Sequence, residues 1–296
     1  MLSCTVAHAT PRVLLEHPQR HPHGGGGGLA GLRLGGDGRC SPAGLQRRAW
    51  LGRLRRALAR EELVLHYQPI VSLRDGRVSH HEALVRLTDG PHGRLLAPAS
   101  FLPAAERYGL IGDIDRMVLA KVAAVLADRG GSRGARGDAR IAVNLSALSV
   151  SDARMLPHIE RLLARHRVSP ARLVIELTET ASISDMEQAQ AFCAGAQALG
   201  CAVALDDFGT GFGALHYLKH LRFSYLKIDG GFISSLTRSR HDQLVVRALV
   251  GLARGMGFST IAEFVRDRPT LELLRELGVD YAQGFHLGRP RPVAPV

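Results

Sequence analysis

Residues 63–87 read LVLHYQPIVSLRDGRVSHHEALVRL: two β-rich runs, Leu63 to Val71 and Val78 to Leu87, flanking Arg74-Asp75-Gly76. An Asp-Gly turn between alternating runs is a strong short-range hairpin signal, so these strands are antiparallel. After this hairpin the chain changes to single strands separated by helical stretches. Strands are read at Arg140 to Leu145, Leu173 to Thr178, Ala202 to Leu205, Tyr225 to Ile228, Thr260 to Glu263 and Asp280 to Phe285. Helices are read near 113–128, 152–167, 187–199, 240–255 and 270–277, with a Gly/Arg-rich loop at 129–139. Eight strands over some 235 residues have the size and rhythm of an α/β fold, a modified (β/α)8 TIM barrel with an antiparallel first strand. A doubly wound open sheet is the competing architecture.

Outward from the barrel, residues 1–44 carry five consecutive glycines (Gly24 to Gly28) and no apolar period, and read as a disordered Gly/Arg-rich leader. Residues 45–60 place Leu45, Trp50, Leu51, Leu54 and Leu58 at helical spacing among arginines, an amphipathic helix that docks on the domain at 61–296. The formal net charge of +11 is concentrated in the first 60 residues, where ten Arg face only Glu16 and Asp37. Few aromatics interleave with them, so specific nucleic-acid binding is not expected. Only Lys121, Lys219 and Lys227 are lysines, against 35 arginines, which makes each lysine notable. No apolar run is long enough for a membrane span. The four cysteines show no paired spacing, and with no signal-peptide pattern the expected location is the cytoplasm.

In such a barrel the chemistry sits at the C-terminal ends of the strands. Here those ends carry Glu82, Asn144, Glu176, Asp206 with Asp207, Lys227 with Asp229, Glu263 and Gln283. Any one acidic residue there is ordinarily a helix cap; nearly every strand ending so is another matter. Oxygen donors without convergent His or Cys select Mg2+ or Mn2+ over zinc. Five carboxylates exceed the needs of one ion, and Asp206-Asp207 could bridge a pair that activates a phosphodiester for attack by water. Lys227 in the barrel mouth would hold the water or the developing negative charge, the bland alternative being a surface ammonium.

Ten motifs carry a resemblance: Tyr67-Gln68-Pro69-Ile70-Val71, Glu82-Ala83-Leu84-Val85-Arg86, Phe101-Leu102-Pro103-Ala104-Ala105-Glu106, Gly109-Leu110-Ile111, Val143-Asn144-Leu145-Ser146, Glu176-Leu177-Thr178-Glu179, Asp206-Asp207-Phe208-Gly209-Thr210-Gly211, Leu226-Lys227-Ile228-Asp229, Ala262-Glu263 and Gln283-Gly284-Phe285. In order and spacing they resemble the EAL-domain cyclic di-GMP phosphodiesterases over 61 to about 292. The resemblance implies hydrolysis of cyclic di-GMP to linear pGpG with two Mg2+ or Mn2+ ions, Ca2+ being inhibitory. It implies Glu82, Asn144, Glu176 and Asp206 as ligands of one ion and Asp206, Asp207 and Glu263 as ligands of the other. It implies catalytic roles for Lys227, Glu263 and Gln283 and substrate contacts at Gln68, Leu84 and Arg86. It implies that Glu179 and the loop from Asp207 couple the site to a homodimer interface, with Asp229 and Arg266 as further loop or regulatory positions.

Active members commonly read Ala-Glu-Gly-Val-Glu where this chain has Ala262-Glu263-Phe264-Val265-Arg266, so a guanidinium replaces a carboxylate. If it faces the ions it weakens them; if it faces solvent, little changes. The alternative to an enzyme is a cyclic di-GMP receptor or a module that regulates a protein partner.

Overall fold

The computed structural model describes residues 42–89, 93–128, 139–178, 186–209 and 218–292. Helix α1 (Pro42–Ala59) precedes strands β1 (Leu63–Ser72), β2 (Val78–Asp89) and the short β3 (Arg94–Leu96). Helices α2 (Leu102–Arg107) and α3 (Ile111–Asp128) lead to β4 (Ile141–Leu145), α4 (Ala147–Val150) and α5 (Met155–His166). Then follow β5 (Leu173–Thr178), α6 (Met186–Leu199), β6 (Ala202–Phe208), β7 (Tyr225–Ile228) and α7 (Gly230–Ser234). The chain ends with α8 (Arg240–Met256), β8 (Ser259–Ala262), α9 (Arg268–Glu276) and β9 (Tyr281–Gln283).

The hairpin forms as its turn dictates. Gly76 takes φ +71°, its N–H bonds the Ser72 carbonyl at 2.9 Å, and the ladder runs from Leu63↔Leu87 to Val71↔Val78. β1 is antiparallel to both β2 and β9, while β2 and β4 through β9 run parallel to one another. The β1–β2 and β1–β9 pairings close the sheet into an eight-stranded barrel, with β3 appended to the outer end of β2. The open-sheet alternative is therefore excluded.

Strand and helix positions follow the hydrophobic pattern to within a few residues. β3, α2, α4 and α7 were not read from sequence: each is too short to show a period. Helix α1 begins at Pro42, three residues earlier than its apolar spacing suggests, and buries Leu54 and Ala57 in the main core beside Leu63, Leu87, Phe101 and Ala105. β6 continues past Leu205 to Phe208. The leader residues 1–41, the Gly/Arg-rich segment 129–138, Glu179 and the segment Thr210-Gly211 lie outside the described residues.

Alternation along the strands builds the barrel interior in layers. Ile70, Ala142, Val174, Ala204, Tyr225 and Ile261 form one apolar cluster, closed by His80, whose ring lies 5.2 Å from that of Tyr225 and 6.2 Å from that of Tyr281. Two residues further toward the mouth on every strand stand Gln68, Glu82, Asn144, Glu176, Asp206, Lys227, Glu263 and Gln283. An apolar floor therefore carries a polar layer, one side chain per strand.

Candidate functional site

The polar layer is centred on Lys227, which is fully buried. Its Nζ lies 3.0 Å from Glu176 Oε2, 2.9 Å from Asp206 Oδ1, 2.9 Å from Glu263 Oε1 and 3.8 Å from Glu82 Oε2. The surface-ammonium alternative is thereby excluded. Burial disfavours the Lys227 charge, but the four carboxylates outweigh it and hold the ammonium well above its usual range. The same burial pushes Glu176 well up and Glu263 up to about 8, against the pull of Lys227.

Glu82 is held from both sides. Asn144 Nδ2 donates to its Oε1 at 2.7 Å and Gln283 Nε2 to its Oε2 at 2.6 Å. Gln283 Nε2 also lies 3.1 Å from Gln68 Oε1, and Gln68 Nε2 donates to the Gly288 carbonyl at 3.0 Å. Gln68, expected as a substrate contact, is buried in this layer beside Gln283.

Adjacent residues of a regular strand point to opposite faces, so Asp206 and Asp207 ought not to converge. They do because β6 is irregular there. Leu205 pairs with Leu226 but Phe208 with Ile228, which puts one extra residue on β6, and Asp207 takes φ +55°. The Asp207 N–H donates to Asp206 Oδ1 at 2.9 Å. As a result, ligand oxygens of Asp206, Asp207 and Glu263 lie within 4.8 Å of one another, as do those of Glu82, Glu176 and Asp206.

This arrangement fits divalent cations. Among the described residues, four carboxylates surround a single ammonium in a buried site, and Glu176 Oε1 is buried with no hydrogen-bond partner, an acceptor left over for a cation. The two carboxylate triads share Asp206, which suits it to a bridging position. Asn144 presents Nδ2 to Glu82, and a half turn of its amide would offer Oδ1 instead.

The remaining expected residues are placed as follows. Leu84 and Arg86 face the same side of β2 as Glu82, further out on the mouth; both are half-buried, and Arg86 donates to the Val85 carbonyl at 2.9 Å. Asp229 caps the N-terminus of α7, accepting from the Gly231 N–H at 2.8 Å. Arg266 is exposed. Phe264 takes φ +55° and its ring packs against Gly230, where a Cβ would collide with it.

Asp115 was not singled out from sequence. It is buried in α3 and accepts from Ser146 Oγ and Ser149 Oγ, both at 2.6 Å, and from the Ser146 N–H at 3.1 Å. This anchors the segment directly after Asn144. Burial raises its carboxyl in spite of those bonds. The signal available in the sequence was Ser146 followed by Ser149 after a strand-terminal Asn, a pair that calls for an acceptor.

Comparison with known proteins agrees with this geometry. Residues 51–290 match the family described as EAL domain. The chain is 41% identical over 239 residues to the bifunctional diguanylate cyclase/cyclic di-GMP phosphodiesterase MucR of Pseudomonas aeruginosa, covering 81% of this chain and 34% of that protein. It is 36% identical over 245 residues to the cyclic di-GMP phosphodiesterase PdeF of Escherichia coli, covering 83% of this chain and 32% of that protein. The chain thus spans about a third of the length of these curated relatives. The structure described as "PaMucR Phosphodiesterase, c-di-GMP complex" superposes with a TM-score of 0.76 at 40% identity, covering 83% of this chain and 98% of that one. The FimX EAL domain of Pseudomonas aeruginosa bound to c-di-GMP gives 0.76 at 30% identity, covering 82% and 97%. With matching motifs, barrel topology and carboxylate layer, this chain belongs to the EAL-domain family.

Proposed function

We propose that this protein hydrolyses cyclic di-GMP to linear pGpG with two Mg2+ or Mn2+ ions, lowering a bacterial second messenger in the cytoplasm. The observation that carries the reading is the pair of carboxylate triads sharing Asp206 around the buried Lys227. Glu82, Asn144, Glu176 and Asp206 would hold one ion and Asp206, Asp207 and Glu263 the other. A pair of ions held there would supply Lewis-acid polarisation of a phosphodiester and a more acidic attacking water.

The chain's own residues do the rest. Lys227, held within 3.0 Å of Glu176, Asp206 and Glu263, would place its positive charge where negative charge develops on a phosphoryl oxygen. Gln283, fixed by Gln68, keeps Glu82 in one rotamer, and Asp115 does the same for the segment that carries Asn144. Arg86, half-buried at the mouth, offers a planar donor pair for a phosphate beside Leu84. Dimerisation through the segment beyond Asp207, with Glu179, and control by a protein partner belong to the same proposal.

The test is hydrolysis of cyclic di-GMP by the purified chain with Mg2+ or Mn2+, with pGpG separated as product, beside a binding titration in Ca2+. Product that disappears with chelator is the expected result. Tight binding without product in either metal makes the protein a receptor, and neither binding nor product overturns the substrate assignment.

A further inference from the structure

The Asp206-Asp207-Glu263 triad is flanked by two residues in the left-handed conformation. Asp207 takes φ +55° near the end of β6, and Phe264, directly after Glu263, takes φ +55° beyond the end of β8. A residue other than glycine keeps that conformation only where the surrounding structure over-determines it. The element that touches the chain at both places is α7, which follows β7 between them.

Helix α7 makes a separate contact with each strand end. On the β6 side the Phe232 ring lies over Gly209, itself at φ +105°: a Cβ at Gly209 would stand 2.7 Å from Phe232 Cε2 and 3.2 Å from Cζ. On the β8 side Gly230 lies against the Phe264 ring. The helix is anchored from within, since Ile233 is buried in one apolar cluster with Ile228, Ala262 and Val265, and Phe232 packs against that cluster. Phe208, between Asp207 and Gly209, is buried in the core, and its carbonyl accepts from the Asp229 N–H at 3.5 Å. The chain just after Asp207 is therefore fixed twice, by Phe208 turned inward and by the ring that covers Gly209.

We propose that Phe232 is a positioning residue: its ring, wedged over Gly209, keeps the chain turned at Asp207 and so holds the Asp207 carboxylate with those of Asp206 and Glu263. The role rests on the reading of that triad as a cation site. It acts through the ligand's backbone, where loss of a supporting contact lowers metal affinity without removing a donor.

The experiment titrates the full chain with Mn2+ alone and counts the free ion by its electron paramagnetic resonance signal. Wild type binds two ions. Phe232→Ala weakens one of them by about tenfold or more and leaves the other within about twofold, as Asp207→Asn does, whereas Phe232→Leu, which keeps an apolar side chain over Gly209, retains most of the affinity. The double variant Phe232→Ala/Asp207→Asn loses no more than Asp207→Asn alone, because the ring acts through that carboxylate. In a Phe232→Ala shown by its thermal melt to be folded, unchanged affinity, equal loss at both ions, or losses that add in the double variant overturn the role of Phe232 and leave the two-ion reading standing. If Phe232→Ala fails to fold, Gly209→Ala drives a methyl into the same ring: selective loss of one ion supports the role, and two unchanged ions overturn it. A wild type that binds fewer than two Mn2+ overturns the reading beneath it.

Discussion

Lys227 Nζ and Glu176 Oε2 meet at 3.0 Å in the closed interior of the barrel, both side chains cut off from solvent. The pair is the centre of an arrangement whose carboxylates outnumber its ammonium, so each member's state depends on the others.

Removing the cation from that centre should be felt first as stability. Lys227→Met leaves Glu82, Glu176, Asp206 and Glu263 without a counter-charge, at an expected cost of about 3–5 kcal/mol in chelator. Thermal melts should show the loss, with Mg2+ or Mn2+ restoring much of it. An equally stable variant in chelator would mean that Lys227 is not the charge that balances the site.

Glu82→Gln and Asp206→Asn should each abolish hydrolysis and weaken Mn2+ binding measured by calorimetry, Asp206→Asn more, because Asp206 belongs to both triads. Burial raises the folded-state pKa of Glu263 to about 8, above its usual value of 4.5. Its contribution to stability is therefore complete below about pH 4.5 and lost as pH rises through about 8. Cation binding must expel that proton, so Mn2+ affinity should climb over the same window with measurable proton release.

His80 behaves in the opposite sense. Desolvation, then the charges of Lys227, Arg140 and His81, lower its pKa from 6.5 to about 3, so the folded protein keeps it neutral. Stability attributable to it is present above about 6.5 and lost as pH falls toward 3, on the order of 5 kcal/mol between the limits. His80→Phe should flatten the acid side of a denaturation series between pH 6 and 4; an unaltered slope would place the acid sensitivity elsewhere.

The guanidinium at Arg266 is exposed, where solvent and salt screen it. Arg266→Glu should therefore change hydrolysis by no more than about twofold. A rise of an order of magnitude would show that Arg266 inhibits the enzyme.

Arg167 ends α5 in the left-handed conformation, φ 53° and ψ 36°, its N–H bonding the Ala164 carbonyl. Glycine takes that conformation without a Cβ penalty, so Arg167→Gly should stabilise the fold by about 0.5–1 kcal/mol in chemical denaturation, with activity unchanged. A destabilised variant would show that the arginine side chain contributes more than its backbone strain costs.

Much of this protein was legible one residue at a time. The Asp75-Gly76 turn fixed the antiparallel pair, and the alternation of strands and helices gave the barrel its count, because both signals are local and repeat with a short period. The polar layer was legible as strand ends, Glu82, Asn144, Glu176, Asp206, Lys227, Glu263 and Gln283, since a strand's end is marked by where its apolar run stops.

What the sequence could not settle is what depends on contacts between strands far apart in the chain. The extra residue at Asp206-Asp207 is visible only against the register of β7, yet it is what turns two neighbouring carboxylates to one side. Burial drew Gln68 away from solvent into the orientation of Gln283, turned Arg266 outward and made Asp115 an anchor for Ser146. Residue type and period determine which groups the barrel carries to its mouth; closure of the barrel determines which of them meet, because distance and desolvation are properties of the packed chain alone.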